Sequence, residues 1–201
     1  MTYSNDIKPT LRRRQVVAKI LNNRKDSFAI TSLGNPTFDV AAAGDCPQNF
    51  YLWGAMGGAA MFGLGLALSQ PTRRTFVFVG DGEMMMGLGS LATVACQNPK
   101  NLTIVVIDNE HYAETGMQPA HAGKGVNISA IAKAAGIEAS LIVRTDEELD
   151  ASLDTLYQHN GPVLVVIKVT TDPEPTALPP RDGPYLRSRF RAALLGDEAH
   201  R

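Results

Sequence analysis

Apolar residues in this chain cluster into short runs separated by stretches of helical period. The clearest runs are Arg-Thr-Phe-Val-Phe-Val-Gly at residues 74–80, Leu-Thr-Ile-Val-Val-Ile at 102–107 and the valine-rich residues 163–169. All are rich in β-branched or aromatic residues and read as strands. Between the first two lies one helix-sized segment, residues 83–97. The unit therefore reads strand, helix, strand. A right-handed crossover makes its two strands parallel and brings their carboxyl ends to one edge of a sheet.

The same pattern continues on both sides. Residues 28–31 read as the first strand, ending at Ser32-Leu33-Gly34-Asn35. A helix is expected from Thr37, a short strand at 50–53 and a buried helix over 54–68. Helices at 128–135 and 147–157 flank a strand at 139–143. Strands alternating with helices predict an α/β fold, a doubly wound parallel sheet with helices on both faces. No internal repeat is apparent.

Three parts are expected along the chain: an N-terminal helix within 1–27, a main domain over 28–170, and a proline-rich arm with a C-terminal helix over 171–201. In the first part, Val16, Val17, Ile20 and Leu21 repeat at helical spacing, with Arg12, Arg13, Arg14 and Lys19 elsewhere. That arginine run reads as a solvated helix face or a subunit contact, since no aromatic residues interleave it. In the last part, residues 170–184 hold five of the twelve prolines and so stay extended. Residues 185–195 then read as a helix. It either docks on a partner or folds back on its own domain.

Composition narrows the function classes. Nineteen basic against twenty acidic residues leave a net charge of −1, with no general attraction for nucleic acid or an anionic membrane. Cys46 and Cys96 are 50 positions apart, form no C-x-x-C, and point away from a zinc or iron–sulfur site held by this chain alone. The longest apolar stretch, residues 54–68, has 15 residues and five glycines, short of the roughly 20 that cross a bilayer. Met1-Thr-Tyr-Ser-Asn-Asp lacks the charged-then-apolar form of a secretory signal, so a cytoplasmic location is expected.

The candidate chemistry lies where the apolar runs end. Asp81 follows one strand and Asn109 another, and strands about 4.8 Å apart let two short side chains converge on one ion. Magnesium needs oxygen ligands at about 2.1 Å, which this pair can give. Gly80 and Gly82 let the backbone turn and come close to a ligand, while the N–H groups of Gly82 and Glu83 open a helix and point at an anion. A bare carboxylate would repel a phosphate, but a cation between them reverses that. A dinucleotide site fails on its spacing. G-x-G-x-x-G would need glycine at Met85 or at Leu68.

Gly80-Asp81-Gly82, followed after 26 residues by Asn109, itself preceded by Asp108, resembles the thiamine diphosphate motif. The block Asn49-Phe-Tyr-Leu-Trp-Gly-Ala-Met-Gly-Gly58, followed by Gly63-Leu-Gly-Leu-Ala-Leu68, resembles the stretch before that motif in the two-subunit decarboxylases of sulfopyruvate and phosphonopyruvate type. The resemblance runs from about Phe28 to Thr170. It implies thiamine diphosphate and magnesium as cofactors, with the metal held by Asp81, Asn109 and the main-chain carbonyl of His111. It further implies that Gly34, Asn35, Gly80, Gly82 and Glu83 surround the diphosphate, that the carbonyl of Gly54 accepts from the aminopyrimidine, and that Met56 wedges the cofactor into its bent form.

One part the family needs is missing from this chain: a glutamate, on a second domain, that bonds the pyrimidine. The resemblance therefore implies a partner subunit carrying the pyrimidine-binding domain and that glutamate, in a hetero-oligomer of two of each chain or larger. The substrate it implies is a small 2-oxo acid, the reaction a decarboxylation. A carboligase, a C–C lyase, a 2-oxo acid oxidoreductase subunit and a cofactor binder without turnover are the alternatives. Residues 110–125 are polar and glycine-rich and read as a loop over the site. Within it Glu110, His111, Glu114 and His121 can carry protons, and His121 and Glu114 are the candidate catalytic groups.

Overall fold

The computed structural model describes residues 9–200, so the stretch Met1 to Asp6 read for a secretory signal lies outside the described residues. In chain order, α1 (Arg13–Leu21) leads to β1 (Phe28–Thr31), α2 (Asn35–Ala42), β2 (Asn49–Tyr51), α3 (Ala59–Ser69), β3 (Thr75–Gly80), α4 (Asp81–Met86), α5 (Ser90–Gln97) and β4 (Leu102–Asp108). A small hairpin of β5 (His111–Tyr112) and β6 (Gln118–Pro119) follows. Then come α6 (Ile128–Ala135), β7 (Ala139–Val143), α7 (Asp146–Gln158), β8 (Val163–Lys168) and α8 (Gly183–Leu195).

Six strands form one parallel sheet in the order β2-β1-β3-β4-β8-β7. Side chains alternate across it, so each strand feeds two cores. Phe28, Ile30, Val77, Val79, Ile104 and Val106 face α3, α4, α5 and α6. Ala29, Phe76, Phe78, Val105, Ile107 and Val165 face α1, α2 and α7. Burial on both faces is why these strands are unbroken apolar runs. The fold is the doubly wound α/β sheet expected.

From β1 the chain moves outward to β2, then crosses back to β3 on the other side of β1. The direction of winding thus reverses between β1 and β3. In open α/β sheets the crevice at the carboxyl ends beside such a reversal is where ligands bind.

Several helix boundaries differ from the expectations. The segment 83–97 is two helices, α4 and α5, broken at Gly87-Leu88-Gly89. Backbone packs closely at this break: a Cβ on Gly87 would lie 2.3 Å from the carbonyl oxygen of Gly57. The helix expected over 54–68 begins only at Ala59, because Trp53 (φ +48°), Gly54 (φ +120°) and Gly57 (φ +84°) occupy the left-handed region, which a helix cannot contain. The helix expected from Thr37 starts at Asn35, with Pro36 in its first turn. The strand expected at 50–53 occupies Asn49–Tyr51.

This contact yields a stability test. Gly87→Ala is expected to lower unfolding stability by about 1–3 kcal/mol, since the intruding methyl meets backbone that cannot yield. Gly65→Ala in α3, where an added Cβ meets nothing within 4 Å, is expected to gain up to about 1 kcal/mol from helix propensity. Urea midpoints of the two variants measure the contrast, and similar midpoints would refute the packing argument.

The C-terminal helix folds back on its own sheet. Phe190 is buried with its ring centroid 5.5 Å from that of Phe28 and 5.0 Å from that of Phe50. Arg189 pairs with Asp45 at 2.6 Å, and the Trp53 indole donates to the Pro180 carbonyl at 2.8 Å. Among the described residues, no helix is long and apolar enough to cross a membrane.

Candidate active site

Three strand ends build the crevice. Beyond β1, Gly34 turns with φ +76° and caps α2, while Thr37 and Thr31 bond through their hydroxyls at 2.9 Å and hold that helix to the strand. Beyond β3 stands Asp81, the first residue of α4. Beyond β4 stand Asn109 and His111. In register, Gly80 lies beside Ile107, which sets Asp81 level with Asp108 on the neighbouring strand. The cleft they enclose has a volume of about 130 Å³. Sites that engulf a whole small molecule hold ~300–1,000 Å³, so this cleft is smaller than those.

Two acids in the cleft are buried without full partnership. Asp81 is 2 % exposed and its Oδ2 has no hydrogen-bond partner. Burial, reinforced by the neighbouring charge of Asp108, pushes its pKa from 3.8 up to about 7, against the pull of the Gly82 N–H. Glu83 is 5 % exposed with Oε1 unpartnered, and burial raises it to about 7 as well. An orphaned buried carboxylate is costly unless something positive meets it. Asp81 and Asn109, which line the same cleft, offer a hard-oxygen donor set, so these residues fit a magnesium ion. The first-turn N–H groups of α4 next to them fit the oxygens of a diphosphate.

The turn after β4 is stiffened by its own side chains. Asn109 Oδ1 accepts the His111 N–H at 3.1 Å, and the His111 ring nitrogen Nδ1 lies 2.8 Å from the Asn109 carbonyl oxygen. Glu110 between them sits at φ +64°. Lys168, at the end of β8, pairs with Asp108 at 2.8 Å and with Glu110 at 2.7 Å.

A further wall comes from the loop after β2. Met56 lines the cleft, and the glycine beside it, Gly57, meets Gly87 at the far end of α4. The Tyr112 ring covers the near end, where a Cβ on Gly82 would lie 2.3 Å from the ring edge. Glycine is therefore required at 82 for the hairpin to lie over the site.

Most of the residues singled out in the sequence converge here. Gly34, Asn35, Gly80, Asp81, Gly82 and Glu83 line the cleft, as do Met56, Asn109, His111 and Glu114. The Glu114 carboxyl carbon lies 3.5 Å from the position a Cβ on Gly34 would take, beside the start of α2. Gly54 stands outside the cleft lining, two residues before Met56. His121 is exposed and reaches the site through another side chain, its Nδ1 3.2 Å from the Tyr112 hydroxyl.

Three contributors were not singled out as site residues: Tyr112, Lys168 and Arg13. The arginine run does not lie on a solvated face throughout, for Arg13 is 6 % exposed and lines the cleft. Its Nη1 donates to Asp39 Oδ1 at 2.5 Å and to the Asn35 carbonyl at 3.4 Å, and Arg14 donates to the same Oδ1 at 3.2 Å. A lone aspartate on the buried stripe of α2 was the available signal, since such a charge demands a cation.

Known proteins are similar to this chain. The family described as "Thiamine pyrophosphate enzyme, C-terminal TPP binding domain" matches residues 33–167. Sulfopyruvate decarboxylase subunit beta of Methanothermobacter thermautotrophicus is 37% identical over 159 residues, 79% of this chain and 82% of that one. Phosphonopyruvate decarboxylase of Streptomyces viridochromogenes is 37% identical over 145 residues, which cover 72% of this chain but 36% of that protein. Among solved structures, benzoylformate decarboxylase from Polynucleobacter necessarius superposes with a TM-score of 0.68 at 20% identity, covering 83% of this chain and 34% of that one.

Proposed function

The chain belongs to the thiamine pyrophosphate enzymes, through their C-terminal cofactor-binding domain, and from that membership we propose that it is the thiamine diphosphate- and magnesium-binding subunit of a two-subunit 2-oxo acid decarboxylase of sulfopyruvate or phosphonopyruvate type. The observation that carries this reading is Asp81, a buried carboxylate with an unpartnered oxygen, next to Asn109 in the crevice where the sheet reverses. Bound thiamine diphosphate supplies the electron sink that lets carbon dioxide leave a 2-oxo acid.

This chain's residues bind and orient. Asp81, Asn109 and the His111 carbonyl would hold magnesium. The N–H groups of Gly82, Glu83 and Asn35 donate to the diphosphate, and Gly34 and Gly80 keep the backbone close to it. Met56 would pack against the cofactor, and the Gly54 carbonyl would accept from its amino group. Glu114 in the cleft and His121 through Tyr112 are the groups placed to move a proton during turnover.

A partner subunit completes the site. The 130 Å³ cleft is smaller than sites that engulf a whole small molecule, a relative is named as a beta subunit, and another aligns over little more than a third of its own length. That partner carries the pyrimidine-binding domain and its glutamate, in an assembly of at least two of each chain. A cytoplasmic location suits the free Cys46 and Cys96, since oxidising compartments favour disulfides.

Carbon dioxide release from a panel of small 2-oxo acids, with the reconstituted pair, tests the assignment. Release that needs both magnesium and thiamine diphosphate, with sulfopyruvate or phosphonopyruvate foremost, is the expected result. A pair that holds the cofactor yet releases carbon dioxide from none of them would overturn the decarboxylase reading and leave the cofactor site standing.

A further inference from the structure

We propose that Lys168 is the positioning residue of the metal turn: by clamping Asp108 and Glu110 it fixes Asn109 and the His111 carbonyl in the geometry that receives magnesium. This inference rests on the proposed magnesium–diphosphate site and adds to it a residue that touches neither metal nor cofactor.

The register sets up the clamp. Asp108 and Lys168 are paired partners at the ends of the parallel strands β4 and β8. Lys168 Nζ lies 2.8 Å from Asp108 Oδ2 and 2.7 Å from Glu110 Oε1. Asp108 Oδ1 accepts the Glu110 N–H at 3.0 Å, and its carbonyl accepts the Val169 N–H at 3.0 Å. Asn109 is thus bracketed by two carboxylates tied to one ammonium. Without that cation two like charges would face each other across the turn, with the carboxylate of Asp81 level with Asp108 on the next strand.

The backbone supplies the second argument. Glu110 stands at φ +64°, a conformation that costs a non-glycine residue and persists only where its surroundings over-determine it. Lys168 is the distant anchor that does so, and the hairpin is the nearer one, through the Ala120 N–H to the Glu110 carbonyl at 2.8 Å. Partners one shell out from a metal commonly govern its affinity by about 10–100-fold. Lysine also suits a site with two acceptors in different directions, because its three donors rotate.

The test titrates manganese with thiamine diphosphate into the reconstituted pair of this chain and its partner subunit, reading free manganese by electron spin resonance, alongside amide exchange at Glu110 and His111. Lys168→Met is expected to weaken manganese binding by about 10–100-fold and to speed exchange at both amides, and Lys168→Arg to recover most of the affinity. Should Lys168→Met fail to fold, Glu110→Gln keeps the Asp108 pair and is expected to lower affinity several-fold at unchanged melting temperature. Affinity within twofold of the unaltered pair, in Lys168→Met or in a folded Glu110→Gln, would overturn the positioning role. No manganese–cofactor binding by the unaltered pair would overturn the metal site itself, and the clamp with it.

Discussion

Asp81→Asn is expected to make the isolated chain more stable above neutral pH while abolishing the metal-dependent binding of thiamine diphosphate by its reconstituted pair with the partner subunit. The sign follows from the folded-state pKa of about 7, which lies above the ordinary 3.8. Folding then takes up a proton between those values, so the contribution of this group to stability falls as pH rises from about 4 to about 7. A shift of that size is on the order of 4 kcal/mol above pH 7. Asparagine removes the buried charge but keeps a polar group needing partners, so the expected gain is roughly 2 kcal/mol at pH 8 and near zero at pH 4. Metal affinity moves the other way, falling by more than the ~100-fold ascribed to outer-shell partners, because a ligand itself is lost. Urea unfolding of the chain at the two pH values and calorimetry of the pair with magnesium present measure both arms. Retained cofactor affinity would remove Asp81 from the metal site.

The second large effect concerns the partner. Purified alone, this chain is expected to bind cofactor weakly and to release no carbon dioxide, because on the proposed assignment its cleft would leave the pyrimidine end facing water. Mixing with the partner subunit is expected to raise cofactor affinity and switch on turnover. Replacing the partner's proposed glutamate by glutamine should remove turnover while leaving the assembly intact, since the carboxylate acts on the pyrimidine's protonation and not on the interface. Size-exclusion chromatography and carbon dioxide release separate those outcomes. Robust turnover by this chain, shown free of copurified protein by mass spectrometry, would refute the half-site reading.

Much of the site was legible because buried parallel strands write themselves as β-branched runs, and the residues that matter follow the last apolar position. Asp81 after β3 and Asn109 after β4 could be placed on one sheet edge from that rule alone. Lys168 could not be joined to them in the same way: its partners lie 60 and 58 positions earlier, and only the pairing of β8 with β4 brings them together. Arg13 was hidden by its neighbours, since a three-arginine run reads as surface until the fold shows that its middle member meets Asp39. The break between α4 and α5 was hidden as well. Glycines at 87 and 89 do not by themselves reveal a packing partner, whereas in the fold the backbone of Gly57 occupies the space a side chain at 87 would take.

That glycine contact makes α4 a gauge. Asp81 stands at its first residue, and the Met56–Gly57 loop rests on the backbone just beyond its last. Six residues at 1.5 Å rise span ~9 Å, so a rigid rod sets the distance between the proposed anchor for phosphate and the proposed wall for the pyrimidine. Because the loop touches the rod through main-chain atoms, the side chain at position 56 can change without altering that length. Inserting a single residue into α4 would rotate Gly87 by about 100° away from Gly57, and the two ends of the ligand would then be measured against different scales.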